Sequence, residues 1–392
     1  MFSDRTNWKL TRNRFSEALE EVRAAGAEIL DLTLSNPTRA GLHYDAPAIL
    51  AALSAPQAMD YDAQPQGLLS ARDAVAEYYR SQHGVTDLQA ERVVLTTSTS
   101  EGYSYVFRLL CNSGDELVVP KPSYPLFEFL ADLQDVKLVP YPLLYDHGWQ
   151  MDFPSLEKAV TPRTRGVVVV HPNNPTGSYL SREEQKQLNS FCGEHQLALI
   201  VDEVFLDYAH ERDARARPSF AANRDALTFT LSGISKICAL PQMKVAWIAA
   251  SGPPAEVDEA MARLEVISDT YLSMNAPIQW ATPALLAQRE SIQKQLLDRV
   301  LGNLAKLDRE LAAQKLCQRL AVEGGWYAVL RVPVTQSDED LAIALLRRKS
   351  VLVHPGHFYD FPSDGYLVLS LITPEAEFAE GIGRLLKLLI AG

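Results

Sequence analysis

An α/β fold is predicted by one pattern, repeated from about residue 30 to residue 250. Short apolar, β-branched runs alternate with helix-like stretches. The runs are apolar throughout rather than every second residue, as in strands buried on both faces. Several end in loops of small, polar or Pro-rich residues. Together these observations imply a large domain whose mostly parallel sheet is flanked by helices.

In order, Phe15–Ala27 reads as an amphipathic helix and Leu30–Leu34 as a strand closed by Ser35-Asn36-Pro37-Thr38. The strand-like runs follow at Val93–Thr96, Glu116–Val119, Gly166–Val170, Ala198–Val201, Leu227–Leu231 and Val245–Ala250. Helical periodicity lies between them, as at Ala71–Gln82, Tyr103–Leu110 and Arg182–His195. Beyond these, Ala284–Gln314 is a long charged helix. Strand-like Trp326–Val332, helical Glu339–Lys349, strand-like Val351–Val353 and Tyr366–Leu371, and a last helix near Ala376–Leu389 then form a smaller α+β unit. The N-terminal segment is expected to complete that unit.

The chain has 392 residues, 47% hydrophobic and 22% charged, the balance of a soluble protein with room for two domains. A net charge of −12 argues against binding nucleic acid, because no basic surplus exists to neutralise a phosphate backbone. No apolar run approaches a membrane span, and Met1-Phe2-Ser3-Asp4-Arg5 opens no signal peptide. The cysteines Cys111, Cys192, Cys238 and Cys317 match no metal spacing, so no metal is expected. Free thiols in a reducing cytoplasm are the simpler reading.

Chemistry is expected where strands end, since open α/β sheets bind ligands at that edge. Lys236 ends Ser232-Gly233-Ile234-Ser235-Lys236 after an apolar run. Burial lowers a lysine's pKa, and such a lysine can attack a carbonyl and hold it as a Schiff base. Taken alone, the segment reads first as a solvated loop lysine. Thr96-Thr97-Ser98-Thr99-Ser100-Glu101-Gly102 opens a helix with hydroxyls and free N–H groups, an anion site or a plain N-cap. In Val119-Pro120-Lys121-Pro122-Ser123-Tyr124-Pro125 the prolines fix the direction of Tyr124, a stacking platform or a packed loop residue. His171-Pro172-Asn173-Asn174-Pro175-Thr176-Gly177 leaves Asn174 as a directional donor. Asp202, followed by Glu203, ends a buried strand, where a carboxylate needs a partner such as a pyridinium N–H, or else caps a helix.

This set resembles the class I/II aminotransferases, pyridoxal-phosphate enzymes of fold type I. The likeness runs from Tyr61, Gly67 and Arg72 to the C-terminal unit, and its most specific pieces are Asn174-Pro175-Thr176-Gly177, Asp202-Glu203 and Ser235-Lys236. The resemblance implies pyridoxal 5'-phosphate as cofactor and an amino acid and a 2-oxo acid as substrates. It implies that Lys236 forms the Schiff base and later shuttles the substrate proton. Asp202 would pair with the ring nitrogen, Asn174 with the ring oxygen, and Tyr124 would stack on the ring. Ser98, Thr99, Ser100 and Lys244, with Ser235 near the lysine, would serve the cofactor and its phosphate. Tyr61 would reach the phosphate of a neighbouring subunit in a homodimer. The implied domains are 45–285, binding the cofactor, and 1–44 with 286–392.

The departures from the family pattern concern the substrate. Gly233 stands where a serine is usual, Phe205 where a tyrosine is, and Lys244 where an arginine is. Val368 takes the place of the arginine that holds the substrate carboxylate. Arg39, in the loop Ser35–Gly41, is the leading replacement, with Asn174 beside it and Arg331, His354 and His357 behind it. Amino transfer is the leading function. A β-eliminating lyase of the same fold is the alternative, and a non-catalytic cofactor-binding regulator a remoter one.

Overall fold

The computed structural model describes residues 1–8, 10–125, 127–211, 217–272 and 274–391. Its centre is an eight-stranded sheet. Across the sheet the order is Val93–Thr96, Ala246–Ser251, Thr228–Gly233, Ala198–Asp202, Thr164–Val170, Glu116–Lys121, Lys137–Tyr145, Trp149–Met151. Ala246–Ser251 runs antiparallel to both neighbours and Trp149–Met151 antiparallel to its one partner. The remaining pairings are parallel.

Alternation along the strands sorts side chains to two faces. Val168, Val170, Ile200, Phe229 and Ile248 join one apolar cluster, with the helices Thr99–Leu110 and Pro254–Tyr271. Val167, Val169, Leu199 and Val201 join another, with the helix Arg182–His195. Burial on both faces is why these runs carry no polar alternation. Ser181 starts that last helix with a capping box closed by Glu184.

A separate cluster joins Phe15 and Leu32 near one end of the chain to Trp326, Leu345 and Leu385. It packs around the antiparallel order Gln318–Arg319, Tyr327–Arg331, Tyr366–Ser370, His354–Pro355. The N-terminal strand pairs in parallel with Val351–Leu352.

Three elements differ from expectation. The first strand is only Leu30–Asp31, because the Asp31 carboxylate accepts from the N–H and hydroxyl of Thr33 and turns the chain. The long helix begins at Arg289, not Ala284: Ala276–Ala287 is a separate helix ending at Gln288. The break lets each helix face its own core: Ile278 and Leu285 enter the cluster with Trp247, while Leu296 and Leu307 enter that of Trp326. The hairpin Lys137–Tyr145 with Trp149–Met151 escaped the sequence reading, since Pro140 and Pro142 argue against a strand. Among the described residues no helix is long and apolar enough to cross a membrane.

Candidate active site

At the C-terminal edge of the parallel strands lies a cavity of about 410 Å³. Ser98, Thr99, Ser100, Tyr124, Asn174, Asp202, Ser235 and Lys236 all line it. The small unit closes the other side with Ser35, Tyr327, His354 and Tyr359.

Lys236 sits in the short helix Ile234–Ile237, directly after the strand Thr228–Gly233. Its Nζ lies 4.7 Å from the ring centroid of Trp326 and 5.3 Å from that of Phe205. Burial pushes the ammonium pKa down to about 8, opposed by the charge of Asp202. Among the described residues no carboxylate lies within ion-pair distance of it. The Tyr208 hydroxyl donates to the Lys236 carbonyl at 2.6 Å and fixes the backbone there.

Asp202 is the last residue of its strand and is buried. Its Oδ1 accepts from the Val204 N–H at 3.0 Å and its Oδ2 from the Tyr103 hydroxyl at 3.1 Å. Burial raises its pKa to about 6; the hydrogen bonds and Lys236 oppose the rise. A carboxylate held so dry favours a cationic partner. Glu203 has a structural part, accepting from the Ser219 hydroxyl at 2.7 Å and the Phe220 N–H at 2.6 Å.

Ser98 is the N-cap of Thr99–Leu110, its Oγ accepting from the Glu101 N–H. The plainer reading of that serine holds, and the helix still presents the first N–H groups of Thr99 and Ser100 at the cavity wall. Asn174 Oδ1 is buried without a hydrogen-bond partner. Buried polar atoms in native proteins are almost always paired, so this oxygen marks a place where a ligand completes the set. Gly177 shows why its loop has this sequence: φ is +69°, and an added Cβ would meet the Gly324 carbonyl oxygen at 2.4 Å. Tyr124 is 37% exposed, and burial of its hydroxyl pushes the pKa up to about 12.

The structure also settles the open substitutions. At Gly233 a Cβ would meet the Val245 carbonyl oxygen at 2.7 Å, so a serine there would require the backbone to shift. Ser235 lines the cavity, whereas the Ser232 hydroxyl turns to the Glu203 carbonyl. Phe205 packs edge-on against Trp326 and Tyr327. Gly67 and Arg72 belong to the scaffold, Arg72 donating to the carbonyls of Gly67 and Ala90.

Other expected residues are not brought to the wall. Arg39 is exposed in the turn Pro37–Arg39 and does not line the cavity. A 3-10 turn capped by Asn36 holds that segment, with the Asn36 side chain accepting from the Thr38 N–H. Lys244 is likewise exposed and off the wall, in a left-handed position with φ 56°. Tyr61 is 80% exposed, and Val368 is buried in its strand. Several wall residues escaped the reading of motifs, among them Tyr103, one helical turn beyond the N-cap, Tyr327 and Tyr359.

A parallel sheet whose strand ends converge on a half-buried lysine, a buried aspartate and a helix N-terminus defines a cofactor-dependent α/β enzyme. The sequence matches the model of the family "Aminotransferase class I and II" over residues 14–385. The chain belongs to that family and is an aminotransferase. It is 29% identical to the alanine aminotransferase of Mycobacterium tuberculosis over 382 residues, 94% of this chain and 87% of that one. Against the glutamate-pyruvate aminotransferase of Escherichia coli the identity is 31% over 272 residues, covering 69% of this chain and 66% of the other. Among solved structures, the alanine aminotransferase of Pyrococcus furiosus matches in fold with a TM-score of 0.91 at 21% identity, covering all of both chains.

Proposed function

We propose that Lys236 carries pyridoxal 5'-phosphate in this cavity, and that the enzyme moves an amino group between an amino acid and a 2-oxo acid. The observation that carries the reading is one cavity wall shared by Lys236, Asp202 and the unpaired Asn174 oxygen. The residues fit the cofactor: a buried carboxylate suits a protonated ring nitrogen, and free helix N–H groups suit a phosphate. Bound there, the cofactor supplies an electron sink for the substrate α-carbon.

Lys236 would hold the cofactor aldehyde and, once displaced by the substrate amine, would move the proton at the α-carbon. A pKa of about 8, below the ordinary 10.5, leaves roughly a tenth of the lysine amine unprotonated at pH 7, far more than an ordinary lysine. Asp202 holds the ring nitrogen, with Tyr103 and the Val204 N–H fixing its carboxylate. The Asn174 side-chain N–H would donate to the ring oxygen, leaving its Oδ1 for another donor, Tyr124 would cover the ring, and Ser98, Thr99, Ser100 and Ser235 would hold the phosphate end. Lys244 adds a positive charge from outside the wall. The small unit excludes water from the opposite side.

A homodimer belongs to the same reading. Met59 and Tyr61 are 89% and 80% exposed, apolar surface that a neighbouring copy of the chain would cover. Residues 45–285 would form the cofactor domain and 1–44 with 286–392 the smaller one. Cytoplasmic location fits four cysteines that are all free.

Borohydride reduction of the loaded enzyme followed by peptide mapping tests the assignment. The label is expected on Lys236; a label on Lys244 or any other lysine overturns it.

A further inference from the structure

A substrate carboxylate that leaves water for this cavity must find donors there. Apart from Lys236, which the proposed function assigns to the cofactor, no lysine or arginine lines the wall among the described residues. The wall has one imidazole, that of His354.

We propose that His354 holds the substrate carboxylate, which makes it the residue that selects carboxylate-bearing amines. The inference rests on the function proposed above.

The backbone places the ring. His354 and Val368 are directly opposed partners on neighbouring antiparallel strands, and Val368 in turn opposes Val329. Opposed residues project to the same face of a sheet. On that face the two valines offer no polar atom, and His354 alone of the three reaches the cavity.

One neighbour bonds the ring. The Tyr359 hydroxyl lies 3.0 Å from Nδ1. In the tautomer the proposal requires, that hydroxyl donates and the proton of the neutral ring sits on Nε2. Nε2 has no hydrogen-bond partner among the described residues, so in that tautomer it is the ring's open N–H. Burial keeps the ring neutral near pH 7, with its pKa pushed down to about 4; Asp31 is the charged group acting on it. Asp31 is itself engaged by the Thr33 N–H and hydroxyl. The Tyr359 carbonyl accepts from the Ser123 N–H at 3.0 Å, which ties this corner to the loop of Tyr124.

The test compares two amines of one skeleton. The L-amino acid giving the fastest single turnover among the twenty common ones is paired with its α-carboxamide. Half-saturating concentrations are read from the absorbance change of the loaded enzyme. His354→Ala should raise that of the acid about 10- to 100-fold, the worth of a hydrogen bond to a charged group. The carboxamide should shift by less than about threefold, because a neutral amide leaves little charge-assisted binding to lose. His354→Gln, which keeps an N–H donor, should recover part of the loss for the acid alone. Tyr359→Phe, which leaves the ring but frees its tautomer, should weaken the acid selectively. Equal losses for acid and carboxamide, or no loss with either, overturn the proposal. If the wild-type enzyme turns over no amino acid while binding the cofactor, it is the functional reading that fails.

Discussion

The two sides of the cavity are built differently. On the cofactor side, Ser98, Asn174, Asp202 and Lys236 each stand at or just beyond the end of a strand of one sheet. On the substrate side, Ser35, Tyr327, His354 and Tyr359 come from the N-terminal loop and from separate pieces of the C-terminal unit. The first side inherits its geometry from the register of a buried parallel sheet, so its members cannot shift independently. The second is assembled from single side chains, each replaceable without disturbing the sheet. On the proposed function, that division would let the chemistry stay constant while the substrate changes.

The sharpest way to break the comparison is at its fixed side. Lys236→Ala should lower single-turnover rates by at least about 10²–10⁴-fold through lost proton transfer alone. Cofactor binding should persist without a borohydride label, since the phosphate and ring contacts remain. Spectral titration with cofactor, alongside the reduction, checks both parts.

Asp202→Asn separates chemistry from stability. Losing the charge opposite the ring nitrogen should cost on the order of 10²–10³-fold in single-turnover rate. The cofactor-free protein should move the other way. The folded pKa of Asp202, about 6, lies above its ordinary 3.8. Between those values the folded state holds more protons than the unfolded one, so stability falls as pH rises through the window. Above pH 6 the whole cost of a buried charge is present, and asparagine removes it. Thermal unfolding should therefore show a higher Tm for the variant at pH 7.5. The gain should shrink toward pH 4.5. A lower Tm at both pH values would show the carboxylate to be structural.

The contrast between the two sides also explains what could be read from sequence. Each cofactor-side residue lies in a local string whose small, polar or Pro residues follow an apolar run, so position and chemistry coincide in the chain. Lys236 after Gly233 and Asn174 before Gly177 are both of this kind, and in each case the glycine is forced by a backbone oxygen that leaves no room for a Cβ. His354 has no such string. Its importance follows from pairing with Val368 and from the Tyr359 hydroxyl, contacts that only the folded register creates. Arg39 stands in a loop with the composition of a lid, and composition does not say which way a side chain on a turn points. Tyr103 looked like one more residue of an amphipathic helix; its hydroxyl reaches Asp202 across 99 positions of sequence.

Tyr103→Phe should have a smaller effect than Asp202→Asn. It removes one of the two hydrogen bonds that hold the Asp202 carboxylate and keeps the ring packed against Phe107 and Phe127. A hydrogen bond to a charged group is worth about 1.5–3 kcal/mol, of which the remaining Val204 N–H should compensate part. Cofactor affinity, measured by equilibrium titration, should weaken by roughly tenfold or less. An unchanged affinity would mean that Asp202 is positioned by its backbone alone.

Arg39→Ala should have the smallest effect, and it bears most directly on the substrate side. The guanidinium is off the cavity wall, and its backbone N–H bonds to the Asn36 carbonyl at 3.1 Å in a turn that alanine can adopt. Surface substitutions of this kind usually change stability by no more than about 0.5 kcal/mol. Single-turnover rates with the best amino acid should stay within about twofold of wild type, the same small margin expressed as a ratio. Ser35, four residues earlier, does line the cavity, so the segment has a short path inward. A loss in Arg39→Ala as deep as that in His354→Ala, for the acid and not for its carboxamide, would show that residues 35–41 close over the substrate and bring a true cation to a wall that here has only an imidazole.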